Sequence, residues 1–373
     1  MPLQQAGLRA MAAGLLLGIA ATTFPIAHAQ SNKESGEPGT TPDVVVSIQP
    51  IHSLVAGVMG DLGTPTLLVH GGASPHAYAL KPSDARALDK AQIVFRVGEN
   101  LETFLNHPLE TLSAKATVID LAEVDGVHTL GFREGALWEE DGHDHHGHDA
   151  HEGDSHDGDA HEADHDGHDG HEAHDHETHD HETHAQEAHE HETHAHEHNH
   201  HGEDPHVWLD PANARAMVDA IAKTLIAADP AHAATYETNA AKLNGRLAAL
   251  EEKIEAELLP VRGRPFIVFH DAYHYFEHRF EVEAVGAVAV NPEQQPGAAR
   301  IREIRDRIAQ TSAVCVFTEP QFRPRLVDTL LEGTSARAGV LDPLGADIAP
   351  GPDAYETMIQ ALADALHNCL AGE

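Results

Sequence analysis

The sequence predicts an α/β protein of two lobes, each a parallel β-sheet flanked by helices, joined by a long rigid spine helix and carrying a disordered polar insertion. Three observations predict it. Short β-branched runs alternate with helix-compatible stretches in both halves of the 373-residue chain, the pattern of βαβ units in a parallel sheet. Between the halves, Leu243, Leu247, Leu250, Ile254 and Leu258 recur at spacings of three and four. They mark one apolar face of a helix running from about Asp229 to Leu259, roughly 45 Å long at 1.5 Å per residue. From Asp141 to His201 almost nothing is apolar, so that stretch cannot bury enough surface to offset its ordering entropy.

The elements follow in order. Arg9, the apolar run "AMAAGLLLGIA" and "AHA" ahead of Gln30 read as a secretory signal over residues 1–29, cleaved near Ala29. The apolar run falls short of the ~20 residues that a spanning helix needs, and no cysteine lies nearby to accept a lipid. The expected product is exported and soluble, periplasmic in a cell with an outer membrane. Residues 30–42 form a Ser/Gly/Pro-rich leader. The first lobe is assigned to 43–228, with 141–201 inserted. Its strands are expected at "VVVSIQPI", "TPTLLV", "IVFRVG" and "TVIDLA", with helical stretches at "PSDARALDKA" and "LETFLNHPLETLS". A further helix follows Pro211, and residues 229–260 are the connecting helix. The second lobe, 261–373, has strands at "PFIVF", "FEVEAVGAV", "AVCVFT" and "AGVLD". Its helices are at "GAARIREIRDRIAQ", "RPRLVDTLLEGT" and "DAYETMIQALADALHNCL".

Composition narrows the partners. The net charge is −38, which argues against nucleic acid or an anionic membrane and in favour of cations. Of the 61 carboxylates, 24 lie between Glu139 and Asp204, where there is no Lys or Arg, so well over half of that charge belongs to one segment. The two cysteines, Cys315 and Cys369, are expected to be joined in an oxidising compartment. Closing their 54-residue separation contributes about 4 kcal/mol in the chain-entropy model. Cys315 falls on a strand and Cys369 on the terminal helix, so the bond would pin that helix to its sheet.

Ligands of open α/β sheets gather at the carboxyl ends of strands, and imidazole is the side chain best matched to zinc. His270 ends "PFIVF", Asp342 ends "AGVL", His76 sits in the loop "GGASPHAY", and His206 lies in "DPHVWLD" where apolar sequence resumes. Nothing local brings these residues together; only the fold can.

"GGASPHAYALKPSDARAL", "DPHVWLDPANA", "IVFHDAYHYFEHRF", "FTEPQF" and "VLDPLGA", in that order, resemble the hallmark segments of the metal-binding solute-binding proteins of ABC transporters, and within them the zinc-uptake branch. The resemblance runs from about Val44 to the C-terminus, the insertion excepted. It implies two α/β lobes with a metal ion between them, a monomer that binds Zn²⁺ and hands it to an ABC permease, and no catalysis. Carried over, the three histidine ligands are His76, His206 and His270. Zinc-type relatives with a Glu before the first histidine have no counterpart here, because Pro75 stands at that position. The fourth ligand is then Asp342, which matches the carboxylate of manganese-type relatives, or a water. Three imidazoles and one oxygen suit tetrahedral Zn²⁺, and a second carboxylate would lean toward Mn²⁺. A manganese-type protein of the same family is one alternative reading. An exported zinc hydrolase is another, and it would need a base beside the metal, for which Glu319 is the candidate. His274 and His278 follow His270 at four and eight residues, and His274 is a candidate auxiliary ligand.

The insertion holds 22 of the 34 histidines and two matches to H-E-x-x-H, at His161–His165 and His196–His200. That motif implies a metalloprotease only on an ordered helix, and a tract built of His and Glu generates it by chance. Coordination by a flexible tract must order the chain each time, so its sites should be weak and many. A low-affinity zinc reservoir or sensor beside a tight three-histidine site is the expected division of labour.

Overall fold

Two four-stranded sheets, one per lobe, organise the chain. The structure is a computed structural model. It describes residues 41–133, 202–289, 292–293, 296–322 and 325–372. The signal sequence, most of the leader and the insertion 141–201 lie outside the described residues. The first sheet contains β1 (Val44–Val46), β2 (Thr66–Leu67), β3 (Ile93–Arg96) and β4 (Thr117–Asp120), in the order β2-β1-β3-β4. The second contains β5 (Phe266–His270), β6 (Ala284–Ala289), β7 (Cys315–Thr318) and β8 (Arg337–Val340), in the order β6-β5-β7-β8. Every pairing is parallel. The connectivity is the same in both, so each sheet reverses its winding beside its first strand, at β1/β3 and β5/β7. The central strands β1, β3 and β5 are buried along their whole length. That is why they read as unbroken apolar runs instead of alternating patterns.

One sequence expectation is corrected. "VVVSIQPI" is a strand only as far as Val46, and Gln49–Met59 is the helix α1. Pro50 in its first turn is well placed, since the amide it lacks has no intrahelical partner there. Every residue of α1 except Gly57 is buried. Gln49, His52 and Ser53 fall at helical spacing, but a short apolar run such as "LVAGV" does not by itself distinguish a buried helix from a buried strand.

The remaining helices are α2 (Pro82–Lys90), α3 (Asn106–Leu112), α4 (Pro211–Ala228), α5 (Ala233–Leu258), α6 (His274–Phe280), α7 (Ala298–Thr311), α8 (Arg325–Leu331) and α9 (Ala354–Ala371). α5 is the predicted long helix, entered through a 3-10 turn at Pro230–His232. Its 26 residues span about 39 Å. It buries Tyr236, Ala240, Leu243, Leu247, Ile254 and Leu258, and packs on α1, α4 and α9. Gly57 permits a close approach of α1 to α5, since a Cβ there would stand 2.9 Å from a Leu243 methyl. Among the described residues no helix is long and apolar enough to cross a membrane.

A single apolar cluster runs through both lobes, from Val44, Val46 and Phe95 through α1, α4 and α5 to Phe266, Phe317 and α9. Two smaller clusters back the outer faces of the sheets, one around Val45, Val94 and Leu105, the other around Ile267, Val288 and Val316. Polar contacts cross between the lobes as well. Gln49 Nε2 donates to Gly345 O at 2.7 Å and Ile348 O at 2.8 Å, and Tyr355 N donates to Ser53 Oγ at 2.9 Å. Cys315 and Cys369 form a disulfide, which ties α9 to β7.

Candidate metal centre

Strand pairing fixes His270, the last residue of β5. At the end of neighbouring β7, Glu319 follows directly after Thr318. The two side chains therefore meet at the switch point of the second sheet, and His270 Nδ1 lies 2.7 Å from Glu319 Oε1. His206 precedes the 3-10 turn Val207–Leu209, which leads into α4. Asp210 caps that helix, accepting from Ala212 N at 2.8 Å. His76 lies in a second 3-10 turn, Pro75–Ala77, between β2 and α2. That turn is anchored downstream by Asp84, whose carboxylate accepts from Lys81 N at 3.0 Å and the Tyr78 hydroxyl at 2.8 Å.

These elements bring the three imidazoles together. One nitrogen from each of His76, His206 and His270 lies within 4.8 Å of the other two. The Nε2 atoms of His206 and His270 are 3.4 Å apart. His206 and His270 are buried, with His76 at the more open side. His206 Nδ1 is 2.6 Å from Asp204 Oδ1, which also accepts the His206 backbone N–H at 3.0 Å. In both buried rings a carboxylate thus takes the Nδ1–H and fixes the tautomer, leaving the Nε2 lone pair to face the pocket. The ring of Trp208 lies 5.3 Å from that of His206 and is itself held by its N–H donating to Pro343 O at 2.8 Å.

The electrostatics suit a cation. Burial, reinforced by the neighbouring imidazoles, lowers His76 to about 3, and burial with His270 nearby lowers His206 to about 3. Both rings are therefore held neutral, the form in which an imidazole can coordinate a metal ion. Burial also disfavours charge on His270, but the Glu319 carboxylate outweighs it together with Asp271 and Asp204, and the net shift is upward. Positive charge is therefore favoured at the one ring backed by Glu319, where a metal ion can replace the proton. Burial pushes Asp204 up to about 7. Tyr273, whose hydroxyl donates to Leu341 O at 3.2 Å, is raised well above the usual range by burial and by Glu319.

The pocket is lined by Ser74, Trp208, Gln321, Phe322, Pro343 and Leu344 besides the histidines and Glu319. Its free space is small, ≈ 10 Å³, about enough for one ion or water. Ser74 Oγ, Glu319 Oε2 and Gln321 Oε1 are buried without a hydrogen-bond partner.

Asp342 does not join the three histidines. Its Oδ1 accepts from Gln321 Nε2, Leu344 N and Gly345 N, and its Oδ2 from Ala346 N. It organises the turn that carries Pro343. His274, at the start of α6, is half-buried with Nδ1 unpartnered and stands outside the three-ligand group, and His278 is exposed. The packing expected around them is present in buried Tyr273, Tyr275 and Phe276. Asp204, Trp208, Ser74 and Gln321 are among the site residues not singled out from sequence. The only signal for Asp204 was its place two residues before His206.

The chain matches the family model described as "Zinc-uptake complex component A periplasmic" over residues 44–369. It is 51% identical over 334 residues to the high-affinity zinc uptake system protein ZnuA of Brucella suis, covering 89% of this chain and 93% of that protein. It is 42% identical to the protein of the same name from Paracoccus denitrificans, again over 89% of this chain and 93% of that one. Among solved structures, a crystal structure of ZnuA shares the fold with a TM-score of 0.64 at 23% identity, over 88% of this chain and 99% of that one. A zinc-bound ZnuA deletion mutant does so at 0.62 and 23%, over 88% and 98%.

Proposed function

The chain belongs to the ZnuA family of zinc-uptake components, and from that premise we propose that it captures Zn²⁺ between its lobes in the periplasm and delivers it to an ABC permease. The observation that carries this reading is the convergence of His76, His206 and His270 from two lobes on one small pocket, with a carboxylate behind each of the two buried rings. Three neutral nitrogens on a rigid frame match the tetrahedral preference of Zn²⁺, and the ordering entropy of the site is largely spent on folding. The fourth position goes to a water, held by the unpartnered oxygens of Ser74, Glu319 and Gln321, instead of Asp342, whose oxygens are committed to four N–H groups.

The function is carriage without catalysis. The family match supports carriage over the hydrolase reading, in which Glu319 would be the base. Residues 1–29 serve as the export signal, the mature chain acts as a monomer, and residues 141–201 act as a low-affinity reservoir near the pocket. Zinc titrations test these points. The full chain and a variant lacking 141–201 are each expected to show one tight site, with the weak, plural sites lost in the deletion. Replacing His76, His206 or His270 by Ala is expected to abolish the tight site and leave the weak ones. Loss of tight binding on deletion of 141–201 would overturn the assignment.

A further inference from the structure

Arg133 bridges from the first lobe to the second. Residues 130–132 and 202–204 meet in a short antiparallel stem. Gly131 bridges to Glu203, Asp204 N donates to Leu130 O at 2.8 Å, and Phe132 N donates to Gly202 O at 3.2 Å. At its end the Arg133 guanidinium grips two carboxylates of the second lobe. It makes paired bonds to Asp271, the residue after His270, and to Glu277 on α6, with Nη1 2.7 Å from Glu277 Oε2. The Arg133 side chain is only 14% exposed and that of Glu277 3%, so solvent screens this interaction little. Tyr275, also on α6, seals the same junction by donating to Asp204 O at 2.7 Å and accepting from Leu130 N at 2.9 Å.

These contacts close a ring. From His206 it passes through the Asp204 carboxylate to the stem, along the stem to Arg133, across to Asp271, and by one peptide bond to His270. Beside the shared apolar core and the Tyr275 contacts, this ring connects the two buried imidazoles, and one of its links joins first-lobe to second-lobe residues through charge-assisted bonds. A site whose ligands are held in place before the ion arrives binds more tightly and releases more slowly than one that must be assembled.

We propose that Arg133 is a positioning residue for zinc: by clasping Asp271 and Glu277 it holds His270 at coordinating distance from His206, and it sets how fast the ion leaves. The proposal rests on the three-histidine reading above. It identifies the stem of the insertion as a working part of the tight site, and breaking the clasp as the way to let the site open.

The test measures zinc dissociation from the full chain by stopped flow against excess chelator, together with affinity by competition. Arg133→Ala is expected to speed release about tenfold or more, within the range seen when partners of metal ligands are removed, while one tight site remains. Arg133→Lys should lie between it and the parent, because an ammonium cannot pair bidentately with two carboxylates at once. Asp271→Asn should also speed release, and combining it with Arg133→Ala should add little, since both remove the same link. A folded Arg133→Ala protein with reduced thermal stability but parental release overturns the proposal. If Arg133→Ala does not fold, parental release by Arg133→Lys does so instead. His270→Ala separates the two levels. A parent whose tight site does not depend on His270 refutes the three-histidine reading, whereas dependence on His270 without dependence on Arg133 refutes only the clasp.

Discussion

At the scale of single residues, the site consists of three histidines and the groups that aim them. Glu319 is the most informative of the latter. Its Oε1 takes the His270 proton, its carboxylate favours positive charge on that ring, and it is almost fully buried. Glu319→Gln keeps the shape but removes the charge, and it is expected to weaken zinc binding by about tenfold to a hundredfold, read by competition with a chelator of known affinity. Unchanged affinity would mean that Glu319 only fills space. The positions of His76, His206 and His270 were visible in the sequence as histidines at or near strand ends and segment boundaries, but their convergence was not. They are far apart in the chain, and only the packing of two sheets brings them within 4.8 Å. The surroundings of Asp342 were hidden for a related reason. A carboxylate at a strand end looks the same in sequence whether it faces an ion or, as here, folds back on the amides of its own turn. Arg133 gave no signal at all, since its partners are more than a hundred residues away.

At the scale of elements, what could be read depended on whether an element has a wet face. α5 has one, and its leucine spacing located it to within a few residues. The strands announced themselves through β-branched composition. α1 has none, being enclosed by β1, α4, α5 and α9, and its short apolar run could be read as helix or strand alike. The disulfide was legible from the count of cysteines alone. It joins the start of β7 to the last turns of α9, at the opposite end of β7 from Glu319. Cys315→Ser with Cys369→Ser should therefore lower stability by about 2–4 kcal/mol, measured by denaturant unfolding, while zinc affinity stays at the parental value. A loss of affinity would show that α9 bears on the pocket through its sheet.

At the scale of the whole molecule, the two sheets are distinct but the core is not. Because one apolar cluster extends from β1 through α1 and α5 to β5 and α9, neither lobe can expose its inner face without unmaking the other's. The described parts of the chain are expected to unfold in a single calorimetric transition, shifted upward by zinc. An ion at a hundred times its dissociation constant adds about 2.7 kcal/mol. Two separate transitions would contradict a shared core. The same construction limits lobe movement to small adjustments, so control of release falls to local fastenings at the mouth of the pocket. The stem has one more consequence, for the architecture as something to be altered. Its antiparallel bridge brings residues 130–132 and 202–204 side by side, and the entropy of closing a loop grows by only about 0.6 kcal/mol for each doubling of its length. The fold is thus nearly indifferent to what is threaded between residues 133 and 202. That interval is a socket into which a longer tract, a shorter one or a foreign reporter domain can be plugged.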